Sequence, residues 1–92
     1  MEEALEWKTI KERQLEIANR FVTARKALKI SRDKLSIMSN IPVPTIRRFE
    51  STGEISLHAL VSLMVALNYK DDLDYLFKDI VYKDIKDMIY RG

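Results

Sequence analysis

Apolar residues recur along this chain at helical spacing, and the pattern breaks at Asn, Pro and Gly. Ile17, Phe21, Ala24 and Leu28 fall at i, i+4, i+7 and i+11, which predicts a first helix from about Lys11 to Leu28. Ile30 lies in the linker that follows and is expected in the core. Ser31 stands as an N-cap before a short helix in which Leu35 and Met38, three apart, share a face. Asn40 tolerates the left-handed backbone of a helix stop. Ile41-Pro42 disfavours helix at Ile41, and Pro44 fits a first helical turn, where a missing N–H loses no partner. Ile46 and Phe49 give the next helix its buried face, Arg47 and Arg48 project elsewhere, and Gly53 ends the unit. The stretch Ser31 to Gly53 thus reads as two short helices joined by a tight turn.

The flanks are also helical in pattern. Ser56 caps a helix from Leu57 to Leu67, with Leu60, Leu63, Met64 and Leu67 on one face, Val61 and Val65 off it, and Asn68 as the stop. Asp71, Asp72 and Asp74 start another short helix whose Leu73, Leu76 and Phe77 are expected to face inward. A last helix is predicted near residues 83–90 on Ile85, Met88 and Ile89, although Ile80-Val81-Tyr82 is equally compatible with a strand. At the other end Glu2, Glu3 and Glu6 suit a first helical turn, among Leu5, Trp7 and Ile10. Trp7 reads as a hydrophobic anchor packed on the domain, or as a contact with another subunit. The fold class expected is all-α, a compact bundle of about five or six short helices built around the pair between Ser31 and Gly53. Its parts are a helical N-terminal extension over 1–13, the central domain over 14–77, and a C-terminal segment over 78–92.

Composition narrows the classes. Ninety-two residues, 47% hydrophobic and 33% charged, fit one small globular domain, marginal without good packing or a partner subunit. The absence of cysteine excludes a disulfide framework and thiolate metal sites. No apolar run approaches the roughly 18 residues of a membrane span, and the acidic start is unlike a signal peptide. A cytoplasmic protein is expected. The net charge of +2 conceals an asymmetry. Residues 20–50 hold eight basic residues (Arg20, Arg25, Lys26, Lys29, Arg32, Lys34, Arg47, Arg48) against Asp33 and Glu50, a local +6 that leaves −4 for the remainder. Such a cluster is what phosphate contact requires, although charge by itself reads equally as a solvated face.

Ala24-Arg25, Ser31, Leu35-Ser36, Thr45-Ile46, Arg48-Phe49-Glu50, Gly53 and Ala66-Leu67-Asn68 occur in an order and spacing that resemble the XRE, or lambda-repressor-like, family of helix-turn-helix DNA-binding proteins. No single piece is specific; the ordered set is. The resemblance implies that the second helix of the pair, about residues 43–51, lies in the major groove while the first crosses the backbone. It places Val43, Pro44 and Arg48 at base edges, with Thr45 and Arg47 beside them. The Arg48 guanidinium matches the two acceptors of guanine. Val43 cannot make an amide contact to adenine but could pack on a thymine methyl; Val43 and Pro44 also read as shapers of the turn, Pro44 equally so. Arg32, Lys26, Lys29 and Lys34 are the phosphate candidates, with Arg47 a further one. Arg25 and Glu50 match a pair that forms a structural salt bridge in relatives. Three departures stand out: Arg32 replaces a usual Gln, Asn40 a frequent Gly, and Glu50-Ser51-Thr52-Gly53 is one residue longer than the common spacing.

The function expected is therefore that of a sequence-specific double-stranded DNA-binding transcriptional regulator, a repressor acting as a homodimer. Val61, Val65, Ile80, Val81, Tyr82, Met88 and Ile89 either form the dimer contact or complete the monomer's own core. Two alternatives stand beside it: the antitoxin and autorepressor of a toxin–antitoxin pair, with a toxin as protein partner, and a helix-turn-helix protein-interaction module that binds no DNA. An enzyme is the weakest reading, with His58 the sole histidine and neither a glycine-rich phosphate loop nor HExxH. No cofactor or metal is expected, the Asp71, Asp72 and Asp74 group being explained by its helix start.

Overall fold

Five helices make up most of residues 7–80, the residues that the structure, a computed structural model, describes. They are α1 (Ile10–Ala27), α2 (Arg32–Ser39), α3 (Val43–Thr52), α4 (Leu57–Ala66) and α5 (Lys70–Tyr75). The architecture is all-α, and no strand occurs among the described residues. The helix expected near 83–90, the acidic first turn before Trp7, and Val81, Tyr82, Met88 and Ile89 lie outside them.

Local chemistry sets the helix ends. Ser31 and Ser56 cap α2 and α4, their hydroxyls accepting from the Lys34 and Ala59 N–H groups at 3.1 Å each. Asn40 (φ 61°) closes α2 in the left-handed conformation, and Gly53 (φ 78°) does the same for α3. Pro42 stands as the N-cap of α3, with Pro44 in its first turn. The link between α2 and α3 is thus only Asn40-Ile41-Pro42. The start of α1 has a device that the apolar pattern passed over. Thr9 accepts from the Glu12 N–H at 3.0 Å while the Glu12 carboxylate accepts from the Thr9 N–H at 2.8 Å, a reciprocal capping box. Those backbone and hydroxyl donors of Thr9 hold the Glu12 carboxyl below its usual value.

The core consists of Ala18, Phe21, Leu35, Ile41, Ile46, Phe49, Ala59, Leu63 and Leu67, with Ile30, Ile55, Leu60 and Ala66 packed on it. Phe49, Leu35, Ile46 and Leu63 are fully buried, each stabilising the fold by about 1.5–3 kcal/mol. α1 packs on α3, α2 on both α3 and α4, and α5 on α4. Phe21 and Phe49 join the first of these pairs edge to face, with ring centroids 5.2 Å apart.

Several expectations about facing are corrected. The buried face of α1 is Ala18, Phe21 and Arg25, one residue round from the expected stripe, and Ile17 and Leu28 are exposed. The reason is the partner: α1 rests on α3, while towards α4 and α5 it leaves an open apolar groove of about 520 Å³ flanked by Ile17, Phe21, Ala24, Leu60, Met64 and Leu73. Met38 is half-exposed because α2 has room to bury only Leu35. Leu76 is exposed on the wall of that groove instead of in the core, and beyond the end of α5 at Tyr75 Phe77 takes φ 63°, turning its ring into solvent at 90% exposure. Trp7 lies in the extended lead-in ahead of the Thr9 cap and is exposed; it is not an anchor on the domain.

Candidate nucleic-acid interface

α3 divides its residues sharply. Ile46, Phe49 and Glu50 face the core, whereas Pro44, Arg47, Arg48 and Ser51 face solvent, and Val43 and Thr45 are half-buried at its first turn. The 3.6-residue period requires this: with 46, 49 and 50 inward, 44, 47, 48 and 51 fall on the opposite side. Both arginines of the Arg47-Arg48 pair are therefore presented outward, to different flanks.

On the α2 flank, Arg47 joins Arg25, Lys26, Ser31, Arg32 and Asp33 around an open cleft of about 430 Å³. Four cations and one carboxylate line it, at the N-terminus of α2, where the helix dipole adds positive potential. Lys29 and Lys34 are exposed on the same half of the chain, Lys29 in the left-handed conformation (φ 57°) just after α1. Lys26, Lys29, Lys34 and Arg47 make no ion pair with any described residue.

Beneath that cleft lies a buried carboxylate shared by two arginines. Arg25 donates from Nε to Glu50 Oε2 at 2.7 Å and from Nη2 to Oε1 at 3.2 Å, a bidentate fork joining α1 to α3. Its Nη1 donates to the Ile30 carbonyl at 2.9 Å, so each of the three guanidinium nitrogens is bonded. Arg32 donates from Nε to Glu50 Oε1 at 2.8 Å and ties in the first turn of α2. No buried side-chain nitrogen or oxygen among the described residues lacks a partner. Burial on this scale requires it, because two charges taken out of water are tolerable only when their remaining lone pairs and protons are bonded. Arg32 thus differs from the freely solvated lysines. Its Nε is spent on Glu50, its Nη groups make no hydrogen bond to a described residue, and the side chain lines the cleft.

On the opposite flank Arg48 Nη2 donates to Glu54 Oε1 at 2.6 Å. Glu54 follows Gly53 in the loop after α3, and Lys11 Nζ approaches its other oxygen at 3.6 Å while also bonding the Thr52 carbonyl. The hydrogen-bonded Arg48 guanidinium, reinforced by Lys11, holds the Glu54 carboxyl below the usual carboxylate range. Sequence reading missed this pair. A separation of six across a helix end lies outside the i, i+4 rule, and the only signal was an acid directly after the helix-stopping Gly53.

No protein-family model, curated protein or solved structure matches the chain. What the site can do therefore rests on its own chemistry. Among the described residues there is no group of three or more His, Cys, Asp or Glu that would hold a metal ion, and no helix is long and apolar enough to cross a membrane. His58 is exposed at the start of α4. The geometry offers a short outward-facing helix bearing two arginines, with a basic cleft beside it and a rigid buried network behind.

Proposed function

We propose that the chain is a sequence-specific double-stranded DNA-binding transcriptional regulator, a repressor of the XRE or lambda-repressor-like kind, acting in the cytoplasm as a homodimer. In this reading α3 enters the major groove with Val43, Pro44 and Thr45 leading, and Arg48 reaches a guanine edge through two parallel N–H donors. Lys26, Lys29, Lys34 and Arg47 contact phosphates on the α2 side. Arg32 does so through its Nη groups while Glu50 holds its Nε, so the buried network doubles as a positioning device for a surface contact.

The observation that most supports this reading is the outward presentation of Arg47 and Arg48 from a helix whose inner face is locked by Ile46, Phe49 and Glu50. Base reading demands both reach and rigidity, and α3 supplies each from alternate faces. A single module of this size buries little DNA surface, so two copies reading half-sites one helical turn apart are the arrangement that gives useful affinity.

Selection of bound duplexes from a random pool tests the reading directly. The expected result is a two-fold symmetric site with a guanine in each half, bound with a steep dependence on salt. Arg48→Ala is then expected to cost about 1–3 kcal/mol on that site and to relax preference at one base. Lys34→Ala should weaken all sequences alike and flatten the salt slope. Failure to enrich any sequence, together with binding that is indifferent to salt, would overturn the proposal.

A further inference from the structure

We propose that Glu54 is a specificity-determining positioning residue, an internal carboxylate that keeps Arg48 out of non-specific phosphate contacts and yields it only to a guanine edge. The inference rests on the DNA-binding reading and names a regulation of that same site.

The geometry is specific to the loop after α3. Side chains on a helix lean towards its N-terminus, and that is the end of α3 expected at base edges. Arg48 instead reaches the other way, to an acid beyond the C-terminal end at Gly53. The acid is held there by a relay. The Glu54 N–H donates to Thr52 Oγ1 at 3.1 Å, and the Thr52 hydroxyl donates to the Arg48 carbonyl at 2.7 Å. Lys11, from the first turn of α1, fastens the same loop through the Thr52 carbonyl and faces the far oxygen of Glu54. Thr52 belongs to the four-residue run Glu50-Ser51-Thr52-Gly53, so the longer spacing supplies the residue that fixes the carboxylate.

The exposure of the pair sets what it can do. Arg48 is 69% and Glu54 49% exposed, so the pair is weak enough to exchange. A mixed-sequence duplex offers Arg48 a phosphodiester, one negative charge on two oxygens, which only replaces the carboxylate charge that is already local, and Arg48 stays with Glu54. A guanine in register offers two acceptors matched to the guanidinium fork, and Arg48 leaves. Glu54 thereby lowers affinity for mixed sequence more than for the selected site.

Glu54→Gln keeps the shape of the side chain and removes its charge. Binding of the full chain would be measured on the selected duplex and on a mixed-sequence duplex of equal length, over a range of salt. Glu54→Gln is expected to tighten mixed-sequence binding by roughly two- to fivefold, with a salt slope steeper by about one contact, and to change the selected site less. In an Arg48→Ala background the same substitution should have no effect on either duplex. If it still tightens binding there, Glu54 acts by simple repulsion of phosphate and the proposal is overturned; equal tightening of both duplexes in the parent background overturns it too. Salt-independent binding by the unaltered chain would instead sink the DNA-binding reading, and this inference with it.

Discussion

Glu50 and Glu54 stand one helical turn apart in sequence and each faces two cations, yet their surroundings give them opposite characters. The Glu50 side chain is 3% exposed and accepts three charge-assisted hydrogen bonds from Arg25 and Arg32. In that low-dielectric setting the removal of one member strands the others. Glu54 sits half in water, where salt and solvent compete for each contact. The same residue type therefore builds a fixed joint at one end of α3's last turn and an exchangeable one at the other. Burial, rather than the number of ion pairs, separates framework from working surface.

The contrast can be broken most directly at Glu50. Glu50→Ala leaves Arg25 buried and uncompensated, and a loss of about 3–5 kcal/mol is expected from urea unfolding. For a domain of this size that is a large fraction of the total stability. A loss under about 1 kcal/mol would show that the joint is not fixed in this sense. Gly53→Ala comes next. It puts a side chain at φ 78° with its Cβ 2.8 Å from the Gln14 carbonyl carbon, and thermal unfolding should show a cost of about 1–2 kcal/mol or more from the left-handed backbone alone. Arg32→Ala sharpens the comparison within the Glu50 cluster. Arg32 is 41% exposed and Arg25 keeps both carboxylate oxygens, so the expected loss is about 1 kcal/mol or less. A loss as large as that of Glu50→Ala would mean that the fork does not hold without its third member.

The smallest effect belongs to Glu54. Its carboxyl is lowered from the ordinary 4.5 by Arg48, so its contribution to stability is present above that ordinary value and fades as pH falls through the lower native one. Thermal melts of the parent chain and of Glu54→Gln should therefore differ slightly at neutral pH and converge in acid. A gap that widens towards acid would contradict the Arg48–Glu54 contact.

How much of this was legible depended on how local each cause is. The Ser31 cap, the Asn40 stop, the Pro42 entry and the Gly53 end are decided within a few residues, and the ends of α2 and α3 follow them. The capping box at Thr9 and Glu12 was equally local; attention to the apolar stripe alone moved the start of α1 to Lys11. The inward face of α1 was not local. Ile17 and Leu28 satisfy helical periodicity as well as Ala18 and Phe21 do, and only the packing of α3 chooses between them. Arg25 is buried because Glu50, 25 residues later, receives it, a pairing expected from the resemblance and not from the period of α1. The candidate site divides in the same way: the outward facing of Arg47 and Arg48 follows from where Ile46 and Phe49 sit, whereas the tie from Arg48 to Glu54 depends on how the chain turns after Gly53.

That turn has a bearing on how the chain tolerates shortening. With no side chain at Gly53, the backbone of Gln14 comes close enough that a single added carbon would collide with it, and Lys11 reaches across to Thr52 from the same turn. The opening residues of α1 thus act as a brace under the tip of α3. Trimming the chain to begin after Gln14 would spare every residue that faces outward from α3 and still remove the side chain that fastens the loop carrying Glu54.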